Sequence, residues 1–314
     1  MSDLETGTSN SSPRPSPPTP SFAAATAPSY VHTVFWGPDG LRAGWGFLFY
    51  LIAFLLLQRF AVQLAWARDL GDSGLWSRML EEFGSFLAGL LPAVVLARVE
   101  RRPWGAYGLP LKPTFGRLFW IGAVWGFLAI SLLIFPIYEL HAFVPGHVVL
   151  RGTRLLRFAA FWAVFFLLVG LYEDFLFRGY SQFTLTRGIG FWPAALALSC
   201  LFGLIHRENA GESWSGVLMA ALIGLFFCFT LRRTGSLWFA IGFHATWDWG
   251  ETFFYGVPDS GWVAPGRLLR PTLAGPNWVT GGSVGPEGSV FCLIVVALTW
   301  IAFHRIFPPV KSAP

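Results

Sequence analysis

Apolar positions in this chain come in unbroken blocks, not in alternating or one-faced patterns. The run "AGWGFLFYLIAFLLLQRFAVQLAW" at 43–66 is apolar almost all round, whereas a helix on the surface of a soluble domain would turn a polar face to water every turn. A block of that length crosses roughly 30 Å of hydrocarbon as a helix. Comparable blocks recur at 80–98, 117–139, 157–187, 190–206, 214–231, 235–255 and 288–307. The pattern predicts an all-α, polytopic membrane helix bundle with about eight transmembrane helices, joined mostly by short Gly- and Pro-marked turns. Two connections are longer. "RRPWGAYGLPLKPTFGR" at 101–117 is basic and turn-rich, and 256–285 is rich in Gly and Pro without apolar periodicity. The second reads as an exposed loop, with a lid as the alternative.

The opening segment "MSDLETGTSNSSPRPSPPTPSF" has no apolar h-region, so no signal peptide is expected. Residues 1–34 read as a disordered Pro/Ser-rich tail, whose PxxP spacing also suits a ligand for another protein. Residues 35–314 form the transmembrane domain, with its chemistry concentrated in about 157–255.

Composition sharpens this picture. Hydrophobic residues make up 54% of the chain and charged residues 12%, against about 25% charged in a soluble domain. The chain is expected to be an integral, multi-pass protein, of the cell membrane if its host is bacterial, with the lipid bilayer as its first partner. The net charge of +5 does not form a nucleic-acid face: the basic residues are scattered in loop pairs such as Arg101-Arg102 and Arg232-Arg233. These read as positive-inside markers, and their count favours both termini inside. No internal repeat is visible, which argues against repeat-built transporters. Cys200, Cys228 and Cys292 lie in apolar runs at no metal-like spacing and read as buried, inert thiols.

Against this background a few ionisable residues inside the spans stand out: Glu173, Asp174, Arg178, His206, His244, Asp248 and Glu251. Each is costly in hydrocarbon unless paired or used. Asp174 and Arg178 are four apart, where an acid and a base share a helix face and neutralise each other, leaving Glu173 on the adjacent face. His244 and Asp248 are also four apart, and His206 closes "FGLIH" one turn after Phe202. Glu251 reads as interfacial. Counted from the tight turn near Gly188–Gly190, Glu173 and His206 both fall roughly 21–24 Å along antiparallel helices. From Thr234-Gly235, His244 falls at about 13–14 Å and Asp248 at about 20 Å. All four are therefore expected to ring one cavity. Such a chain of acids and histidines suits a proton relay, so a proton-coupled transporter is one class the pattern allows.

The order "EDFLFR" (173–178), "FGLIH" (202–206) and "HATWD" (244–248) resembles the CPBP family of intramembrane proteases, which includes the CAAX prenyl endopeptidases and bacteriocin-processing proteins. The resemblance implies an intramembrane endopeptidase. Its substrate would be a membrane-associated protein or peptide, prenylated at a CAAX end where the host prenylates proteins, and not a nucleic acid. It further implies that Glu173 is the general base, that His206 holds or polarises the water, and that His244 with position 248 stabilises the oxyanion. Asp174 and Arg178 would support the site structurally. Two departures stand out: Asp174 replaces a second Glu, and Asp248 occupies a position often filled by Asn. An ionised Asp248 repels an oxyanion, so it must be protonated, orient His244, or ligate a metal. The reading favours a metal-independent reaction. It keeps a zinc-type divalent ion on His206, His244, Asp248 and Glu173 as the alternative, and a catalytically silent immunity or scaffold protein of the same fold as a further one.

Overall fold

The computed structural model describes residues 30–37, 40–67, 74–103, 105–209 and 211–309. Among them, eight rods follow the apolar blocks: α1 (Ala43–Trp66), α2 (Leu75–Val99), α3 (Arg117–Glu139), α4 (Gly152–Ile189), α5 (Phe191–His206), α6 (Trp214–Thr234), α7 (Trp238–Trp249) and α8 (Val290–Ile306). α7 is prolonged by a π turn, Gly250–Tyr255. Five of the rods, α1 to α4 and α6, are long and apolar enough to cross a membrane by length and composition. The chain is an integral, multi-pass, all-α membrane protein. Most of the expected tail, residues 1–29, lies outside the described residues; its last positions fall in a short helix, Tyr30–Phe35.

Glycines set the closest packing in the bundle. Gly122 and Gly126 are one turn apart on α3, and α7 lies against them. A Cβ at Gly122 would come within 2.1 Å of the Phe239 carbonyl oxygen, and one at Gly126 within 2.1 Å of that of Phe243. Gly242 meets the Phe119 carbonyl in the same way at 2.2 Å. Small residues at this spacing let two backbones approach where lipid offers no hydrophobic drive for helix pairing. Thr246 adds a hydrogen bond across the seam, its Oγ1 donating to the Ala123 carbonyl at 2.6 Å. This seam holds the helix that carries His244 and Asp248.

Several polar groups elsewhere in the bundle are satisfied in the usual ways. Ser213 and Ser289 cap α6 and α8 by accepting from the Gly216 and Phe291 amides. Gly235, at φ +69°, ends α6 in the left-handed conformation that spares a Cβ clash. Trp162 and Trp249 donate their indole N–H groups to the carbonyls of Pro265 and Ala159, as amphipathic rings do when buried.

The structure corrects three details of the sequence reading. The segment 256–285 is not a plain exposed loop. Its backbone pairs with the 140–151 connection through the Phe143–Val144 and Thr272–Leu273 ribbon and the Val149 to Leu268 hydrogen bond, and Val257, Ala264, Val279 and Val284 are buried. Cys200 is exposed, whereas Cys228 and Cys292 are buried and all three are free. In a bundle set in lipid, an apolar run does not imply an inward face. α2 begins at Leu75 rather than 80, which draws Glu82 two turns into the helix.

Candidate active site

A cavity of about 270 Å³ opens among α2, α4, α5, α6 and α7 beneath the 256–289 connection. Its walls include Glu173, His206, His244 and Asp248, so the residues expected at one depth do share a space. The three elements bearing the motifs deliver them differently.

On α4 the regular helix runs Gly152–Asp174 and then widens into a π turn, Phe175–Tyr180, with Gly179 outside helical φ/ψ. Glu173 and Asp174 thus stand at the last regular turn, immediately before the irregularity. π turns of this kind are frequent at functional sites. Asp174 is fully buried and pairs with Arg178, Nη1 to Oδ1 at 3.3 Å. The guanidinium lies over the Phe202 ring at 4.2 Å, a cation–π contact. Gly224 on α6 leaves it the room: a Cβ there would come within 2.3 Å of Arg178 Nη2.

On α7 the His244 imidazole has acids on both sides. Its Nε2 lies 3.7 Å from Glu173 Oε2 and 3.5 Å from Asp248 Oδ2, while Nδ1 lies 3.5 Å from Asp174 Oδ2. Glu173 is therefore not left alone beside the Asp174–Arg178 pair; it shares His244 with Asp248. Gly170 of α4 allows this approach, a Cβ there meeting the Ile241 carbonyl at 3.3 Å and His244 Cβ at 3.6 Å.

His206 closes α5. Its Nδ1 lies 2.7 Å from the Phe202 carbonyl. A carbonyl only accepts, so Nδ1 carries the hydrogen and Nε2 of the neutral ring is left with its lone pair. The ring packs edge-on against Phe202 at 4.5 Å, which fixes its orientation.

Further acids line or border the cavity that the sequence reading passed over. Glu82 faces Glu173, with Arg78 as its basic neighbour; the doubled Glu in "RMLEEF" was the available signal, hidden by a helix start placed five residues late. Asp259 and Glu287 come from the long connection, in "VPDSGW" and "VGPEGS", where nothing in the pattern marks them. Burial raises Asp259 to about 6, against the stabilising hydrogen bond from Thr252. Burial and then the Asp259 charge raise Glu287 to about 7. Glu212 is raised by burial as well. Glu251 is not interfacial: it is fully enclosed.

The fold gathers a different set of potential metal ligands from the zinc-type one expected. Among the described residues, the His, Cys, Asp and Glu side chains whose ligand atoms all lie within 4.8 Å of one another are Asp248, Asp259 and Glu287. Only Asp248 is common to both sets.

Residues 155–250 match the family model described as type II CAAX prenyl endopeptidase, Rce1-like. The matched segment contains all three motifs and agrees with the CPBP resemblance drawn from them. It supports a peptidase, a CAAX-type intramembrane endopeptidase in general terms, whose setting is the bilayer and whose substrate is a protein. No curated protein and no solved structure matches the chain.

Proposed function

We propose that the cavity hydrolyses a peptide bond of a membrane-associated protein or peptide by glutamate-activated water. The observation that carries the reading is the grouping of Glu173, His244 and Asp248 within 3.7 Å contacts, in a cavity that also includes His206. Glu173 is the base: its side chain is 20% exposed, the most open of the acids around His244, so water reaches it. The His206 Nε2 lone pair accepts one hydrogen of that water and turns its oxygen toward the scissile carbonyl. Glu173 then takes the second hydrogen as the oxygen attacks, and returns it to the departing amine.

The developing oxyanion needs a donor. His244 supplies one from Nε2, with Asp174 held at Nδ1 to set the ring, and Arg178 keeps Asp174 in place. Asp248 assists only if its negative charge is lost or neutralised, because an ionised carboxylate opposes the oxyanion. No step of this reading runs through a metal.

A lipidated substrate fits the setting, because an apolar tail enters from the bilayer while the peptide reaches the carboxylates. In the orientation that the basic residues favour, the cavity opens toward the outer face, together with the 256–289 connection. Substrates then arrive from outside.

Purified protein in detergent or proteoliposomes is to be assayed on a fluorogenic prenylated peptide and an unprenylated apolar control. Wild type should cleave, with the prenylated peptide preferred, and Glu173→Ala should lose at least about 100-fold in rate while keeping the wild-type melting profile. Cleavage unaffected by Glu173→Ala would sink the glutamate mechanism. Loss of wild-type cleavage in a strong chelator that zinc restores and calcium or magnesium does not would move the reaction to a metal.

A further inference from the structure

Beside the catalytic group, at the seam between α7 and the long connection, lies a second cluster. Asp248 comes from α7, Asp259 from the connection and Glu287 from the turn that leads into α8. One carboxylate oxygen of each lies within 4.8 Å of the others. Oxygens bound to one ion at about 2.0–2.6 Å cannot stand more than about 5 Å apart, so the three meet the distance condition for a shared cation.

The hydrogen bonds around them come from neutral donors. Thr252 Oγ1 donates to Asp259 Oδ2 at 2.7 Å, Trp247 Nε1 to Glu287 Oε1 at 3.0 Å, and Ser260 Oγ to Glu287 Oε2 at 3.3 Å. These aim the carboxylates without balancing their charge. Among the described residues, the basic groups facing them are His244, at 3.5 Å from Asp248, and His206, which faces Glu287.

Glu251 is an independent observation. It is fully buried, and neither carboxylate oxygen has a hydrogen-bond partner among the described residues. The charges it faces are Glu287, Asp259 and Asp248. A buried carboxyl group turned toward other acids, whose neighbouring donor Trp247 is given to Glu287, is costly unless something positive lies among them.

We propose that Asp248, Asp259 and Glu287 bind one hard divalent cation of the calcium or magnesium class, beside the buried Glu251 carboxyl group. All-oxygen donors select such ions over zinc, which prefers nitrogen and sulfur. The ion ties the 256–289 connection to α7 and offsets the Asp248 charge next to His244. Binding of the ion does not depend on the peptidase reading, and its test measures no cleavage.

The test uses the full chain in an uncharged detergent, stripped with chelator and titrated with terbium, whose luminescence is sensitised by a nearby indole. Trp247 is in position, being hydrogen-bonded to Glu287. Emission should saturate at one ion per chain and be displaced by excess calcium. Asp259→Asn and Glu287→Gln should each weaken binding tenfold or more. Trp247→Phe should dim the emission while leaving the manganese stoichiometry, read by electron paramagnetic resonance, at one. Absence of a saturable one-to-one site in the wild type overturns the proposal whatever the variants do, and the acids then hold protons. A site of unchanged affinity in both carboxylate variants, with wild-type circular dichroism, overturns it equally.

Discussion

In α4 the buried carboxylate Asp174 has its counter-ion four residues on, and Arg178 in turn lies on the Phe202 ring. In α7 and the π turn that prolongs it, Asp248 and Glu251 are buried too, yet apart from His244 beside Asp248 the charges they face are other acids. Both helices break into a π turn next to these groups, Phe175–Tyr180 in one and Gly250–Tyr255 in the other. The π turn is therefore not what distinguishes them. A paired acid stabilises a fixed geometry and leaves Glu173 and His244 to act from a rigid wall. Acids without a fixed counter-ion store an electrostatic demand that a proton, a cation or a developing charge can meet.

Breaking the paired side should have the largest effect. Arg178→Met removes the guanidinium paired with buried Asp174 and leaves it only His244 at 3.5 Å, and the loss of stability should be about 3–5 kcal/mol, read as a lowered melting temperature in detergent. Asp174→Asn combined with Arg178→Met should recover most of that loss. If the double variant is no more stable than the single, Asp174 is not the acid that Arg178 compensates.

The acid-rich side should respond in activity rather than in folding. Asp248→Ala should lower the cleavage rate about 100-fold or more, whereas Asp248→Asn, whose amide donates without bringing charge, should stay within about tenfold of wild type. Equal losses in the two variants would mean that the carboxylate itself is needed.

The seam that holds α7 offers a control between the two. Gly126→Val drives side-chain atoms into the space of the Phe243 carbonyl and should cost about 1–3 kcal/mol. It should also lower activity, because His244 follows Phe243 directly. A variant with normal stability and activity would show that the seam is free to slide.

The smallest effect concerns pH. Asp259 and Glu287 titrate near 6 and 7 in the folded protein, above the usual value of about 4 for an exposed carboxyl. The folded state therefore holds these protons more tightly than the unfolded chain, and stability is greatest while both are protonated. In chelator, stability should fall as pH rises from about 4 through 7, and thermal melts of Asp259→Asn should show a shallower fall. A wild-type profile that rises over this window would contradict the burial of these acids.

The apolar blocks alone determined the number and order of the rods and their setting in the bilayer, because in lipid a continuous run of apolar residues is close to a direct record of a spanning helix. They also placed Glu173, His206, His244 and Asp248 at matching depth, since the rise per residue is constant along a helix, and the Asp174–Arg178 pair followed from spacing on one helix. Other features depended on how the rods turn and pack, which no single stretch encodes. The contact of Glu173 with His244 needs the rotation set by the Gly122, Gly126 and Gly242 seam and by the π turn at 175–180. Glu82 came into the site through a helix start earlier than its polarity suggested. Asp259, Glu287 and the buried Glu251 became one cluster only when the 256–289 connection folded back over α7, because a Gly- and Pro-rich segment has no periodicity from which its packing can be read.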